Sequence, residues 1–129
     1  MMKRRSWLLG VVALVIVLNP LLVIAQEGDS RYLGQWAGFW TQSEWRGTAA
    51  LTVRRDRAGI LAADFVLSGT GSGIKSFTLP ASVEDGTLVM KTSRSTTRLN
   101  LVGDTLSGVY EITAGNFEGE MGNYSLKRR

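Results

Sequence analysis

From Leu33 onward the apolar residues recur at every second position in short runs, and turn-forming residues interrupt them about every 12 residues. A period of two puts successive side chains on opposite faces of an extended strand, whereas a helix needs a period near 3.6. No helical period appears beyond Leu33. The runs predict strands at residues 34–42, 47–55, 60–68, 74–79, 87–92, 96–102, 105–112 and 117–127. Asp85-Gly86 and Gly103-Asp104 predict tight hairpins, because two-residue turns need positive φ and Gly adopts it without steric cost. Asp56 to Gly59 predicts a four-residue turn, and Gly69 to Gly73 a looser connection. Connections this short join neighbours in space, so the eight strands are expected to form an up-and-down antiparallel meander.

Alternation also predicts which side chains face inward. Trp36 and Trp40 share one face of the first strand, and Leu61, Ala63, Phe65 and Leu67 share one face of the third. Leu106, Tyr110 and Ile112 follow on the seventh, then Phe117, Met121, Tyr124 and Leu126 on the eighth. The opposite faces are mostly polar, with Asp64, Arg98, Asn100 and Glu111 among them. One dry face and one wet face is what an antiparallel sheet closed on itself requires. A faint internal repeat fits this picture. At an offset of 45, Leu61, Phe65 and Leu67 align with Leu106, Tyr110 and Ile112. At an offset of 48, Ala49-x-Leu51-x-Val53 aligns with Thr97-x-Leu99-x-Leu101. Two four-strand halves would give an eight-stranded barrel of approximate two-fold symmetry.

The formal charge of +4 belongs to the two ends of the chain. Lys3, Arg4 and Arg5 precede an apolar run from Trp7 that Asn19-Pro20 interrupts and Leu21 to Ala25 completes. The order of charge, apolar run and small residues at Val23-x-Ala25 is that of a secretory signal, read as a helix over residues 1–25 with cleavage after Ala25. The alternative is an uncleaved anchor, since 19 residues from Trp7 to Ala25 just suffice to span a bilayer. Residues 26–32 read as a polar tether, and residues 33–129 as the barrel. Between the two charged ends, residues 26–126 carry nine basic and eleven acidic side chains, a net −2. That balance offers no general footprint for nucleic acid. Cys and His are both absent from the sequence, which excludes thiolate chemistry, disulfides, His-dependent triads and Cys- or His-based metal sites. The expected location is periplasmic or extracellular, or at the membrane through an uncleaved segment.

Leu33-Gly34-Gln35-Trp36 opens the first strand. A Gly-x-Trp at the head of an eight-stranded meander resembles the calycin group, the lipocalins, avidins and their small relatives. The resemblance implies a Trp closing one end of the barrel beneath a basic residue from a late strand, here Arg128 or Arg129. It also implies a small apolar ligand inside. Barrels of eight strands are just wide enough to be filled by side chains or to hold one small ligand. The inward Leu, Phe, Trp, Tyr and Met of this chain are bulky enough that little cavity is expected.

The ligand-binding candidates are Trp36, Trp40, Trp45, Phe65 and Tyr110. Trp45 is placed in a turn over Gln42 to Arg46, where burial does not explain it. Phe39 faces outward near Ala37 and Val109, an apolar strip suited to a partner. Arg54, Arg55 and Arg57 cluster about one turn and suit either solvent or an anion. Glu118 and Glu120 lie on one outward strand face, where nothing would raise a carboxyl pKa for acid–base work. The expectation is therefore a monomeric barrel that is not an enzyme, without cofactor or metal. It either binds a small apolar ligand or docks onto an envelope protein, as an inhibitor or assembly factor would, or has a purely structural role.

Overall fold

The computed structural model describes residues 29–129 apart from Ser72. The signal segment, residues 1–25, and the first part of the tether lie outside the described residues. Nine antiparallel strands follow: β1 (Gly34–Gln42), β2 (Trp45–Arg55), β3 (Leu61–Leu67), β4 (Lys75–Pro80), β5 (Ser82–Glu84), β6 (Thr87–Lys91), β7 (Ser95–Val102), β8 (Thr105–Ile112) and β9 (Met121–Arg128). They form one sheet in the order β4-β3-β2-β1-β9-β8-β7-β6-β5. The first and last strands pair in its middle, from Trp36 opposite Arg128 to Thr41 opposite Asn123.

The ninth strand arises at a corner. Pro80 ends β4 opposite Ala62, and the Ala81 amide still donates to the Leu61 carbonyl of β3 at 3.1 Å. Ser82, one residue on, pairs with Val89 of β6. Thus β4 and β5 are one continuous run whose two halves have different neighbours. This bend carries the meander from one edge of the sheet to the other and nearly closes it into a barrel. Pro suits the point where the ladder breaks, because it has no amide hydrogen to give. The repeat halves sit accordingly: β2 and β7, like β3 and β8, are four places apart in the sheet order.

Three sequence expectations are corrected. Residues 82–84 pair as a strand, where alternation predicts none between residues 79 and 87. The last strand begins at Met121 and not at residue 117, because Phe117–Glu120 forms a turn closed by the Glu120 amide on the Phe117 carbonyl at 3.0 Å. Met121 therefore points out, and Gly122, Tyr124 and Leu126 point in. Trp45 is the first residue of β2, paired with Gln42, so the turn is only Ser43-Glu44. Ser43 takes φ 52°, a left-handed value that no Gly or Asn advertised. The hairpin at Asp85-Gly86 has positive φ at both residues, 52° and 80°, as a type I′ turn requires. At Gly103-Asp104 only Gly103 is positive, which is the pattern of type II′.

The core is layered along the barrel axis. At one end Trp36, Leu51, Val53, Leu99, Leu106 and Leu126 are buried together in the interior. Tyr32 belongs to this end as well. It is 1% exposed, and its hydroxyl donates to the Gly86 carbonyl in the β5–β6 turn. The Trp36 indole donates to the Tyr32 carbonyl at 3.0 Å. Arg128 lies over the Trp36 ring at 4.1 Å and donates to the Leu33 carbonyl at 2.9 Å. Of the two arginines considered for this position, Arg128 occupies it. A guanidinium prefers an aromatic face to an alkyl one because the ring presents negative charge density there. This end is shut.

Candidate functional site

The other end is open. Its interior is shaped by glycines that face inward on β1, β2, β8 and β9, each opposite a large inward side chain. Gly47 pairs with Trp40, Gly108 with Tyr124 and Gly122 with Tyr110, while Gly38 pairs with Leu126 of the shut end. These sites have no room for a methyl group. A Cβ on Gly47 would lie 1.9 Å from the Ser68 carbonyl oxygen, and one on Gly122 would lie 2.2 Å from the Tyr110 ring. The missing side chains let the strands coil tightly and let the aromatic rings lie flat against backbone.

The result is a chain of ring contacts running from β4 and β3 to β9 and β8. Phe77 stacks on Phe65 at 5.2 Å, Phe65 meets Tyr124 at 5.3 Å, and Tyr124 meets Tyr110 at 5.2 Å between centroids. Offset and tilted pairs at these separations are favourable beyond the area they bury. Trp40 is the cross-strand neighbour of Tyr124, and its indole donates to the Ser68 carbonyl at 2.7 Å. Beside these rings lies a cavity of about 520 Å³, open at the mouth. Trp40, Leu67, Phe77, Leu79, Thr97, Tyr110 and Tyr124 line it, and Trp45, Thr70, Lys75, Ser95, Ile112 and Phe117 form its rim. The expectation of a filled barrel fails at this end. Bulk concentrates in the shut end, and the inward glycines take volume out of the open one.

Polar groups enter the cavity at few points. The Tyr110 hydroxyl donates to Gln42 Oε1 at 2.5 Å, and Gln42 Nε2 donates to Glu120 Oε2 at 2.6 Å. This relay ties β8 to β1 and to the 113–120 loop that carries Phe117 to the rim. Burial, and then the nearby Glu120 charge, push the Tyr110 phenol up to about 12. Burial, with Tyr110 beside it, pushes the Tyr124 phenol still further above its ordinary value. Both phenols therefore remain neutral donors at physiological pH.

The five sequence candidates separate in space. Trp40 and Tyr110 line the cavity, and Trp45 stands at its rim, 61% exposed. Phe65 lies behind the wall and supports Phe77 and Tyr124. Trp36 is fully buried at the shut end and is not part of the lining. Sequence reasoning passed over Thr97 and Lys75 as lining groups. Alternation from Leu99 and Leu101 back to Thr97, and from Phe77 back to Lys75, places both inward.

Elsewhere the charged groups serve the scaffold. Arg54 forms a two-point ion pair with Asp64 at 2.7 and 3.2 Å, and Thr78 donates to the same carboxylate at 2.6 Å. These bonds hold the Asp64 carboxyl below its ordinary value. Arg55 donates to the Gly59 carbonyl at 3.1 Å. Among the described residues no three acidic groups converge in a metal-holding cluster. The outward apolar strip runs differently from its expectation. Polar Asn123 and Ser125 of β9 separate Phe39 from Val109. The strip extends the other way, from Ala37 across Ala50 to Val66, which are paired in register, with Ile74 beside them.

No protein-family model, curated protein or solved structure matches the chain. The class stands on architecture: an all-β chain whose nine-stranded antiparallel meander is nearly closed into a barrel.

Proposed function

We propose that the protein is an exported, calycin-like binding module, not an enzyme, that holds a small apolar ligand in the open end of its barrel. The cavity of about 520 Å³ carries this reading. Its volume falls within the range of small-molecule sites, about 300–1,000 Å³, and its few polar groups among aromatic walls match their usual make-up. The Gly34-x-Trp36 opening and the Arg128 guanidinium over Trp36 support the calycin likeness. The charge pattern of the first 25 residues supports export.

A second reading is a barrel that docks onto an envelope protein. The outward strip of Ala37, Phe39, Ala50 and Val66 favours it. The two readings part in a fluorescence screen with fatty acids, retinoids and haem. Internal binding is expected to change Trp emission saturably through Trp40 and Trp45. If no ligand changes the emission, internal binding is contradicted, and capture of a partner from envelope extracts becomes the experiment for the second reading.

A further inference from the structure

The cavity lining has a bias of charge and shape that narrows its ligand, granted that the cavity binds one at all. Among its described lining residues Lys75 is the one formally charged side chain, and there is no carboxylate. Lys75 forms no ion pair or hydrogen bond with a described residue. It sits at the start of β4 and alternates inward with Phe77 and Leu79, which places it at the rim on the same face as Phe77. An exposed lysine is ordinarily free. What sets this one apart is its place on the inward face of a cavity whose lining residues include no carboxylate.

Deeper in, two hydroxyls face the cavity without protein partners. Thr97, 4% exposed, and Tyr124, 6% exposed, make no side-chain hydrogen bond with a described residue, yet no polar atom is sealed away without one. Both hydroxyls must therefore open onto the cavity. Thr97 lies two residues inward of Ser95 at the rim, about 7 Å along the strand. Between rim and floor the walls are Trp40, Phe77, Tyr110 and Tyr124, whose faces suit a flat π-system better than a flexible alkyl chain. A cation would also find aromatic faces here, but it would meet Lys75 at the mouth, and the Glu120 carboxylate behind the lining already accepts from Gln42.

We propose that the cavity takes a flat, ring-bearing anion. Its ring system lies between the aromatic walls, its negative group meets Lys75 at the rim, and a polar substituent at its far end bonds the Thr97 and Tyr124 hydroxyls. This rests on the binding-module reading above. The raised phenol pKa of Tyr124 keeps that hydroxyl a donor throughout.

Four probes test it by calorimetric titration of the full-length chain: 2-naphthoate, 2-naphthalenemethanol, 2-naphthylmethylammonium and decanoate. Naphthoate is expected to bind tightest. Lys75→Met keeps the length of the stem, and should weaken naphthoate about five-fold while leaving the alcohol unchanged, the size of effect a partly exposed ion pair gives. Adding a 6-hydroxyl to naphthoate should tighten binding to the native chain but not to Thr97→Val. Tightest binding of the alcohol, the ammonium or decanoate overturns the anion or ring assignment while leaving the binding module intact. An unchanged naphthoate affinity in Lys75→Met overturns the role of the lysine. If none of the four binds, the binding-module reading falls with it.

Discussion

Trp36 and Trp40 lie four residues apart on the same face of β1, yet they end in opposite compartments. One is the floor of the shut end under Arg128, and the other is a wall of the cavity. Their inward direction was legible from alternation. Alternation alone did not separate them; the Gly34-x-Trp36 resemblance implied the closing role of Trp36, and the closure also depends on Tyr32 and Arg128, which lie outside β1 in sequence. Removing the lid should therefore affect stability and not binding. Arg128→Met is expected to lower stability by about 1 kcal/mol in urea unfolding, the usual scale of a cation–π contact, with cavity affinity unchanged. Lys at the same position should restore only part, since it lacks the planar fork. The tyrosines give a pH signature. Their folded pKa values lie above the ordinary value of 10.0, at about 12 for Tyr110 and higher for Tyr124. Stability is then full below about pH 10, where both states are protonated, and falls as pH rises toward 12, because the unfolded chain ionises first. Absorbance at the phenolate band should show the same two groups titrating late. A Tyr110→Phe/Tyr124→Phe double variant should lose that part of the alkaline slope.

At the scale of strands, the paired glycines and aromatics decide the shape. Gly47→Ala and Gly122→Ala are the same substitution with different obstacles. At Gly47 the obstacle is the Ser68 backbone carbonyl, which cannot swing away, so destabilisation of about 3 kcal/mol or more is expected. At Gly122 it is the outer end of the Tyr110 ring, which can turn into the cavity. That variant should stay folded but lose the Tyr110–Gln42 bond and bind ligand more weakly. Thermal unfolding of both variants, with calorimetry on the second, checks the contrast; equal damage from the two would contradict it. The strand count also shows what the sequence leaves open. Eight runs of alternation read as eight strands, and all eight have counterparts, β1 and β8 with the expected bounds and the other six with shifted ends. The missed β5 is three residues long and alternates too briefly to register. The error at residues 117–120 arose because Phe117 and Glu120 continue a plausible alternation, while the chain turns back through Gly119 at φ 90°.

For the molecule as a whole, closure through the Pro80-Ala81 corner gives a barrel with one packed end and one hollow end. Inward bulk alone predicted a full interior, because composition counts large side chains but not where the glycines opposite them fall. Trp40 and Tyr110 were legible as candidates because they face inward, while Lys75 and Thr97 were hidden by being polar. The central claim is that ligand enters the hollow end and nowhere else. The indole N–H signals of Trp36, Trp40 and Trp45 in a proton–nitrogen correlation spectrum test it most directly, since these residues mark the packed floor, the cavity wall and the rim. Titration with 2-naphthoate should move the Trp40 and Trp45 signals to saturation and leave Trp36 in place. Equal movement of all three, or movement of Trp36 with Trp40 still, would contradict the account.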